Sequence, residues 1–284
     1  MVTSAEFEAA RPQLTALAFR FLGSLHDAED VVQSTWIKAS TTTGDLRNPA
    51  AWLTTVLTRL CLDQLRTRRR GGREPLLADD LPSEELTADE HYLRRENISR
   101  ALMVVLDRLT PAQRVAYVLH DLFDIPFRDV ADTLGTTPDN AKKHASRARR
   151  RIEHAEPAPA APDSAVVDAF LAAAAGGDID RMVALMTSDC VRTADTTLVP
   201  PGIRPVVTGA RAVAEETTLF AARIRASTPM IVDGRRVHVI APGGHLLAVI
   251  DIEIIGGLVS RIDIARASAR TPIELAPKTE SVSW

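Results

Sequence analysis

Aromatic residues are scarce in this 284-residue chain, at 4% of the total. Alanine, leucine and valine must therefore carry most of the packing, and Trp36 and Trp52 become worth following individually. Cysteine is nearly absent. Cys61 and Cys190 each sit among apolar residues, which excludes a disulfide framework and reads as two buried, reduced thiols. The seven histidines show no ligand spacing near them, so neither a metal site nor a cofactor is expected. No run approaches the roughly eighteen apolar residues of a membrane span. The polar N-terminus MVTSAEFEAARPQ lacks the apolar core of a signal peptide. The expectation is a cytoplasmic protein that does not touch membranes.

What is present is ordinary in bulk and uneven in detail. A hydrophobic content of 45% with 25% charged residues describes a globular protein with ample core material. The length favours two or three modules. The net charge of −3 hides segregation: cations gather at 59–73 and 142–151, acids at 74–96. Blocks of opposite sign mark interaction surfaces better than the total does.

Helical spacing runs from 5 to 70, carried by Leu14, Leu17, Ala18, Phe21 and Leu22 and again by Trp52, Val56, Leu57 and Leu60. A stretch at 71–95 with glycine, proline and dense charge reads as an acidic linker. Helical periodicity returns over 96–154, with Leu102, Val105, Leu106 and Leu109 on one face. A second, proline-rich linker at 155–164 follows. The segment 165–270 changes character: one or two helices precede β-branched runs such as RRVHVIA, HLLAVIDIEII and LVSRIDIA. Alternation at Val237 and Val239, and at Ile262 and Ile264, predicts strands, with Gly-Gly pairs at 243–244 and 256–257 placed as hairpin turns. The fold class is thus multidomain, two all-α domains followed by an α+β domain. The tail TPIELAPKTESVSW is polar and reads as mobile.

The stretch NAKKHASRARRRI crowds six lysines and arginines into ten positions, 142–151. On a helix over 138–152, Ala141, Ala145, Ala148 and Ile152 form one apolar stripe, and Lys142, Lys143, Ser146, Arg147, Arg149 and Arg150 lie off it. Thr137 suits the N-cap and Pro138 the first helical position. Upstream, IPFRDVADTLGTTP predicts a short helix with Val130, Ala131 and Leu134 inside and a tight turn at Gly135. Helix, glycine turn and capped cationic helix make a helix-turn-helix, whose second helix enters the major groove. Lys142, Lys143, Ser146 and Arg147 are assigned to DNA, with Arg149 to Arg151 near phosphates.

In the first module HDAEDVVQSTWIKA places Asp27, Glu29, Asp30 and Gln33 at a helix start, where acids often serve only the helix dipole. In NPAAWLTTVLTRLCLDQLRTRRR, Trp52 precedes a basic run; the ring suits either stacking on an unpaired base or a place in the core. Taken in order, these motifs resemble a sigma factor of the extracytoplasmic-function type over 5–154. LTALAFRFLGSLHDAEDVVQSTWIKA is similar to the block that binds core RNA polymerase. NPAAWLTTVLTRLCLDQLR is similar to the block that melts the −10 element, and the segment from Leu106 to Ile152 to the block that reads the −35 element. The resemblance implies that 5–70 is region 2 and 96–154 region 4. Asp27, Glu29, Asp30 and Gln33 would dock on polymerase, through its β and β′ subunits. Trp52, Thr55, Thr58 and Arg59 would face the −10 region, and Lys142, Lys143, Ser146 and Arg147 the −35 duplex. The acids Asp79, Asp80, Glu84, Glu85, Asp89 and Glu90 would suit a basic channel otherwise filled by RNA. Such a subunit is no enzyme: polymerase makes the bonds.

Residues 165–270 resemble the SnoaL-like branch of the NTF2-like cone fold, whose interior is a natural place for a small ligand. Two roles compete there, control of transcription and catalysis, the latter resting on Asp195, His238, His245 and Asp251. Relatives with this extension often carry Asp-Gly-Gly-Gly after its second helix and Trp-Leu-Pro in the linker. This sequence has DCVRTADTTLVPPG at the first place and lacks the second. A stand-alone DNA-binding regulator is the alternative for the whole chain, and the 5–70 module argues against it.

Overall fold

The computed structural model describes residues 2–43, 46–70, 77–153, 163–268 and 271–275. They fall into two compact units. The first takes in Met1–Leu76, Asp80–His154 and the three residues Gly243–His245; the second takes in Leu77–Asp79, Ala155–Pro242 and Leu246–Trp284.

The first unit is helical: α1 (Ser4–Leu22), α2 (Leu25–Thr41), α3 (Pro49–Arg70), α4 (Ser83–Arg95), α5 (Arg100–Leu106), α6 (Pro111–Tyr117), α7 (Phe127–Leu134) and α8 (Pro138–Glu153). Boundaries follow local chemistry. Thr3 and Glu6 close a capping box at the head of α1, and Gly23 ends that helix at φ 79°. Thr110 and Gln113 repeat the box at α6. The predicted α1 face is buried, with Leu14, Leu17, Ala18, Phe21 and Leu22 at most 3% exposed. A π-helical turn, Val118–Leu122, continues α6. The segment read as an acidic linker contains α4, whose Tyr92 packs against Phe19 with ring centroids 4.8 Å apart. Both free cysteines are buried as expected; burial pushes the Cys190 thiol up to about 11 and the Cys61 thiol further still.

The second unit holds helices α9 (Ser164–Gly176), α10 (Ile179–Ala184), α11 (Ala210–Thr217) and α12 (Ala221–Arg225). Its strands are β1 (Met186–Ala194), β2 (Val206–Thr208), β3 (Ser227–Val232), β4 (Arg235–Ile240), β5 (Ala248–Ile255), β6 (Leu258–Arg266) and β7 (Ile273–Leu275). They form one sheet in the order β2-β1-β6-β5-β4-β3-β7, antiparallel except for the β1–β6 pair. This is a helix-covered α+β sheet, as the strand and helix patterns predict. Register sets its inner face. His238 pairs with Ile250, Ile250 with Ile264 and Ile252 with Ile262, and Arg192 with Ile262, so all of these share the side that the helices cover.

One expectation is corrected and one gains a reason. The tail, expected to be mobile, contributes Ile273–Leu275 as an edge strand on β3, because Ile273 offers an apolar side chain that is 8% exposed once paired; residues beyond 275 lie outside the described residues. Gly256 and Gly257 make the β5–β6 turn, at φ 60° and 78°, and Gly243 and Gly244 lie as expected in the connection between the antiparallel strands β4 and β5, although they group with the first unit. A Cβ on Gly243 would lie 2.7 Å from Asp89 Cβ, and one on Gly244 2.8 Å from Met103 Cβ. Close approach, beyond any turn, demands glycine at both.

Candidate nucleic-acid interface

In the helix-turn-helix, α7 ends at Gly135 in the left-handed conformation, φ 66°, and the Thr137 hydroxyl accepts the Asn140 N–H at 3.3 Å to cap α8. The alanine stripe is wholly inside: Ala141, Ala145 and Ala148 are 0% exposed. Small side chains let α8 lie close against α6 and α7, and that orientation turns Lys142, Lys143, Ser146 and Arg147 outward, all exposed. Among the described residues none of the three cations forms an ion pair. Arg149 departs from its assignment to phosphates: it pairs with Asp121 in the π turn. Arg151 donates to the Arg108 carbonyl at 3.1 Å. These two arginines tether α8 to the rest of the unit.

The α3 surface differs. Trp52 and Thr55 are half-buried and Arg59 is exposed. Arg59 Nη2 nevertheless donates to the Asp132 carbonyl of α7 at 3.1 Å. Thr58 is fully buried, its hydroxyl donating to Thr54 O at 2.7 Å, and so presents nothing to a nucleic acid. Trp36 packs on Phe7 with centroids 4.8 Å apart. On α2, Glu29, Asp30 and Gln33 are exposed, whereas Asp27 is held by Arg68 and accepts from Gln64 at 3.0 Å.

The acids of 79–90 are not one free group. Asp79 pairs with Arg266; the Asp80 side chain lies outside the described residues. Glu90 pairs with Arg100. Asp89, 1% exposed, accepts the Leu25 N–H at 2.7 Å and lies 3.2 Å from His245 Nε2. Burial works to lower the His245 pKa, but the Asp89 hydrogen bond, the charges of Asp107 and Asp89 and the Gly23 carbonyl outweigh it and raise the value. Glu84 and Glu85 stand in the first turn of α4, where they complement its dipole.

Sequence spacing missed Arg114. It is 4% exposed, pairs with Asp107 and donates from Nε to the Arg20 carbonyl at 2.8 Å, joining α6 to α1. An arginine between Gln113 and Val115 in a helix gives no hint of a buried role until its partner, contributed from outside that helix, is in view.

In the second unit the four candidate acid–base residues are not brought together. Asp195 is half-buried and closes a local turn, accepting from Thr197 N–H and hydroxyl at 2.9 and 2.7 Å; those bonds lower its pKa. Asp251 pairs with Arg235 at 2.8 Å. His245 lies in the first unit. His238 alone faces the interior. The inner cavity is walled by Phe170, Leu171, Phe220, Ile240, Leu247 and Ile262, with the buried Arg192–Glu216 pair on one side. Arg192 also donates to the Pro205 and Arg204 carbonyls, both at 3.1 Å. Among the described residues no His, Cys, Asp and Glu group could hold a metal, and no helix is long and apolar enough to cross a membrane.

Comparison with known proteins identifies both helical segments. The family models for Sigma-70 region 2 and Sigma-70, region 4 match residues 7–71 and 99–152. The chain is 41% identical over 213 residues to the ECF RNA polymerase sigma factor SigJ of Mycobacterium tuberculosis, covering 71% of this chain and 68% of SigJ. It is 32% identical over 192 residues to the probable ECF RNA polymerase sigma factor SigI of the same species, covering 64% of this chain and 66% of SigI. The crystal structure of Mycobacterium tuberculosis SigJ aligns over 93% of this chain and 96% of that one, at 32% identity and a TM-score of 0.44.

Proposed function

This chain belongs to the extracytoplasmic-function RNA polymerase sigma factors, and from that premise we propose how its surfaces divide the work of initiation. As a member it binds core polymerase and promoter DNA and directs transcription initiation; the family is a non-catalytic subunit. The finer assignment gives the −35 duplex to Lys142, Lys143, Ser146 and Arg147. The observation that carries it is the outward row of cations, without an ion pair among the described residues, opposite a fully buried alanine stripe. Trp52, Thr55 and Arg59 are given the −10 region, where flipping a base out of the stack costs a few kcal/mol that pocket contacts offset. Glu29, Asp30 and Gln33 are given the β and β′ subunits, with Asp27 held beside them by Arg68 and Gln64. The chain works in the cytoplasm beside polymerase and catalyses nothing of its own.

The packing of the first unit adds a condition. Elements centred near −10 and −35 lie about 25 base pairs apart, or about 85 Å of B-DNA. A compact body of about 150 residues has a radius of gyration near 15 Å and spans only roughly 40 Å. Since α3 packs on α6 and α7, and Arg59 is held by α7, region 2 must part from region 4 before both elements are read. Dyes on Ser40→Cys and Arg128→Cys report this directly, because both native thiols are buried. High transfer efficiency in the free protein should collapse on the polymerase–promoter complex; an unchanged efficiency refutes the separation.

The second unit is read as a control domain whose interior receives a small ligand. Run-off transcription with core polymerase on a promoter library, comparing the full chain with a form ending at Glu156, tests the whole reading. Specific transcripts from either form establish the sigma role, and their ratio gives the sign of the control. Absence of transcripts and of core binding from both overturns it.

A further inference from the structure

Beside the inner cavity the second unit has a groove of about 190 Å³, room for several waters. One wall is the first turns of α9, with Asp163, Ser164, Val167 and Asp168; the other is the inner sheet face, with Arg236, His238, Ile250, Ile252 and Ile254. Ile250 lines the groove and the inner cavity alike, and α9 runs past both, giving Asp168 to the groove and Phe170 and Leu171 to the cavity. The two spaces are thus neighbours along one face, polar at the groove and apolar at the cavity.

His238 is the unusual group. It is 8% exposed, and neither ring nitrogen has a hydrogen-bond partner among the described residues. Asp168 Oδ1 stands 3.5 Å from Nε2, at the outer limit of a hydrogen bond, and its Oδ2 lies 3.9 Å from Arg236 Nη2. A buried polar group left without a partner is a standing cost. The set also selects what would remove it. A carboxylate or phosphate would face Asp168 and Asp163. An ammonium would face the Arg236 guanidinium beside Asp168. A neutral hydroxyl meets both demands, donating to Asp168 or a free imidazole nitrogen and accepting from Arg236 or an imidazole N–H.

We propose that this groove is the head-group site for a small, uncharged amphiphile, an alcohol or phenol whose hydroxyl sits among His238, Asp168 and Arg236 while its apolar body passes Ile250 into the inner cavity. This deepens the reading of the second unit as a ligand domain and rests on it. Catalysis is not required of the His–Asp pair; positioning the hydroxyl is enough.

The test titrates the full chain with four six-carbon probes, hexan-1-ol, hexane, hexanoate and hexylammonium, following backbone amide shifts. Hexan-1-ol should bind at least roughly tenfold tighter than hexane, the worth of one hydrogen bond to a charged group, and tighter than either ion. His238→Phe and Asp168→Ala should each erase that advantage and leave the affinity for hexane in place. Asp168 is half-exposed on a helix, so its alanine variant keeps the test valid should the His238 variant misfold. Equal binding of alcohol and hexane, or a preference for either ion, overturns the groove assignment while the cavity reading stands. No binding of any of the four overturns both.

Discussion

Two helices of the first unit are the ones proposed to meet nucleic acid, and they stand in opposite states. On α8 the outward cations Lys142, Lys143 and Arg147 form no ion pair among the described residues, while on α3 Arg59 and Arg68 are each held by a partner elsewhere in the fold. The difference follows from what lies beneath. The alanine stripe of α8 packs closely and leaves Lys142, Lys143 and Arg147 outward, while Arg149 and Arg151 are engaged within the unit. The buried face of α3, with Leu53, Leu57, Thr58, Cys61 and Leu62, meets α1, α2 and region-4 helices at once, and its rim becomes part of their joints.

This contrast can be broken at its strongest joint first. Arg114→Ala should destabilise the first unit by about 3–5 kcal/mol, since it strands Asp107 in a buried site; the pair is 5% and 14% exposed at its side chains. Chemical denaturation of the full chain checks this, and a loss under about 1 kcal/mol would mean that Asp107 finds water instead. Next is the free row. Lys142→Ala with Lys143→Ala and Arg147→Ala should leave stability unchanged and cut promoter affinity roughly a hundredfold at 0.2 M salt. The log–log salt slope should flatten by about 2.7, at about 0.9 for each phosphate no longer neutralised. An unchanged slope removes α8 from the DNA.

The buried His245 gives a smaller effect with a definite sign. Its folded pKa is raised, so its stabilising contribution is fully present below the unfolded value of about 6.5 and is lost as pH rises through the folded value. The stability gap between wild type and His245→Asn should therefore be widest at pH 6 and narrow toward pH 9. A gap that is constant across this range would show that the ring stays in one charge state. Smallest is Arg59→Ala, which removes one exposed hydrogen bond to Asp132 O worth about 1 kcal/mol or less. The variant should raise the open fraction in the dye-pair measurement, and no change would show that the α3–α7 contact rests on apolar packing alone.

Much of the first unit is legible in the sequence because its signals are local. The α8 cap, the Gly135 turn and the alanine stripe lie within about twenty residues of one another, and helical periodicity needs no distant partner. The second unit is legible in part. The three β-branched runs correspond to β4, β5 and β6, but β1 escapes a reading by pattern: MTSDCVRTA alternates weakly, and its place between β2 and β6 makes it a strand. The edge strand at Ile273–Leu275 is likewise illegible, since three residues carry no pattern. Among candidate sites, Thr58 is assigned outward by the resemblance and Arg149 by spacing, and neither says which neighbours cover a helix face.

What the sequence alone determined is the kind of machine: the order of the two helical modules, the capped cationic helix and the change to an α+β segment, all written in residue spacing along the chain. The tertiary structure decided which of its charges remain available. Asp27, Asp89 and Arg59 are engaged by Arg68, Leu25 N–H and Asp132 O respectively, and His238 faces a groove with its nitrogens unpartnered among the described residues. Those outcomes depend on groups up to 73 positions apart, and a charge's partner at that range is set by how whole elements pack.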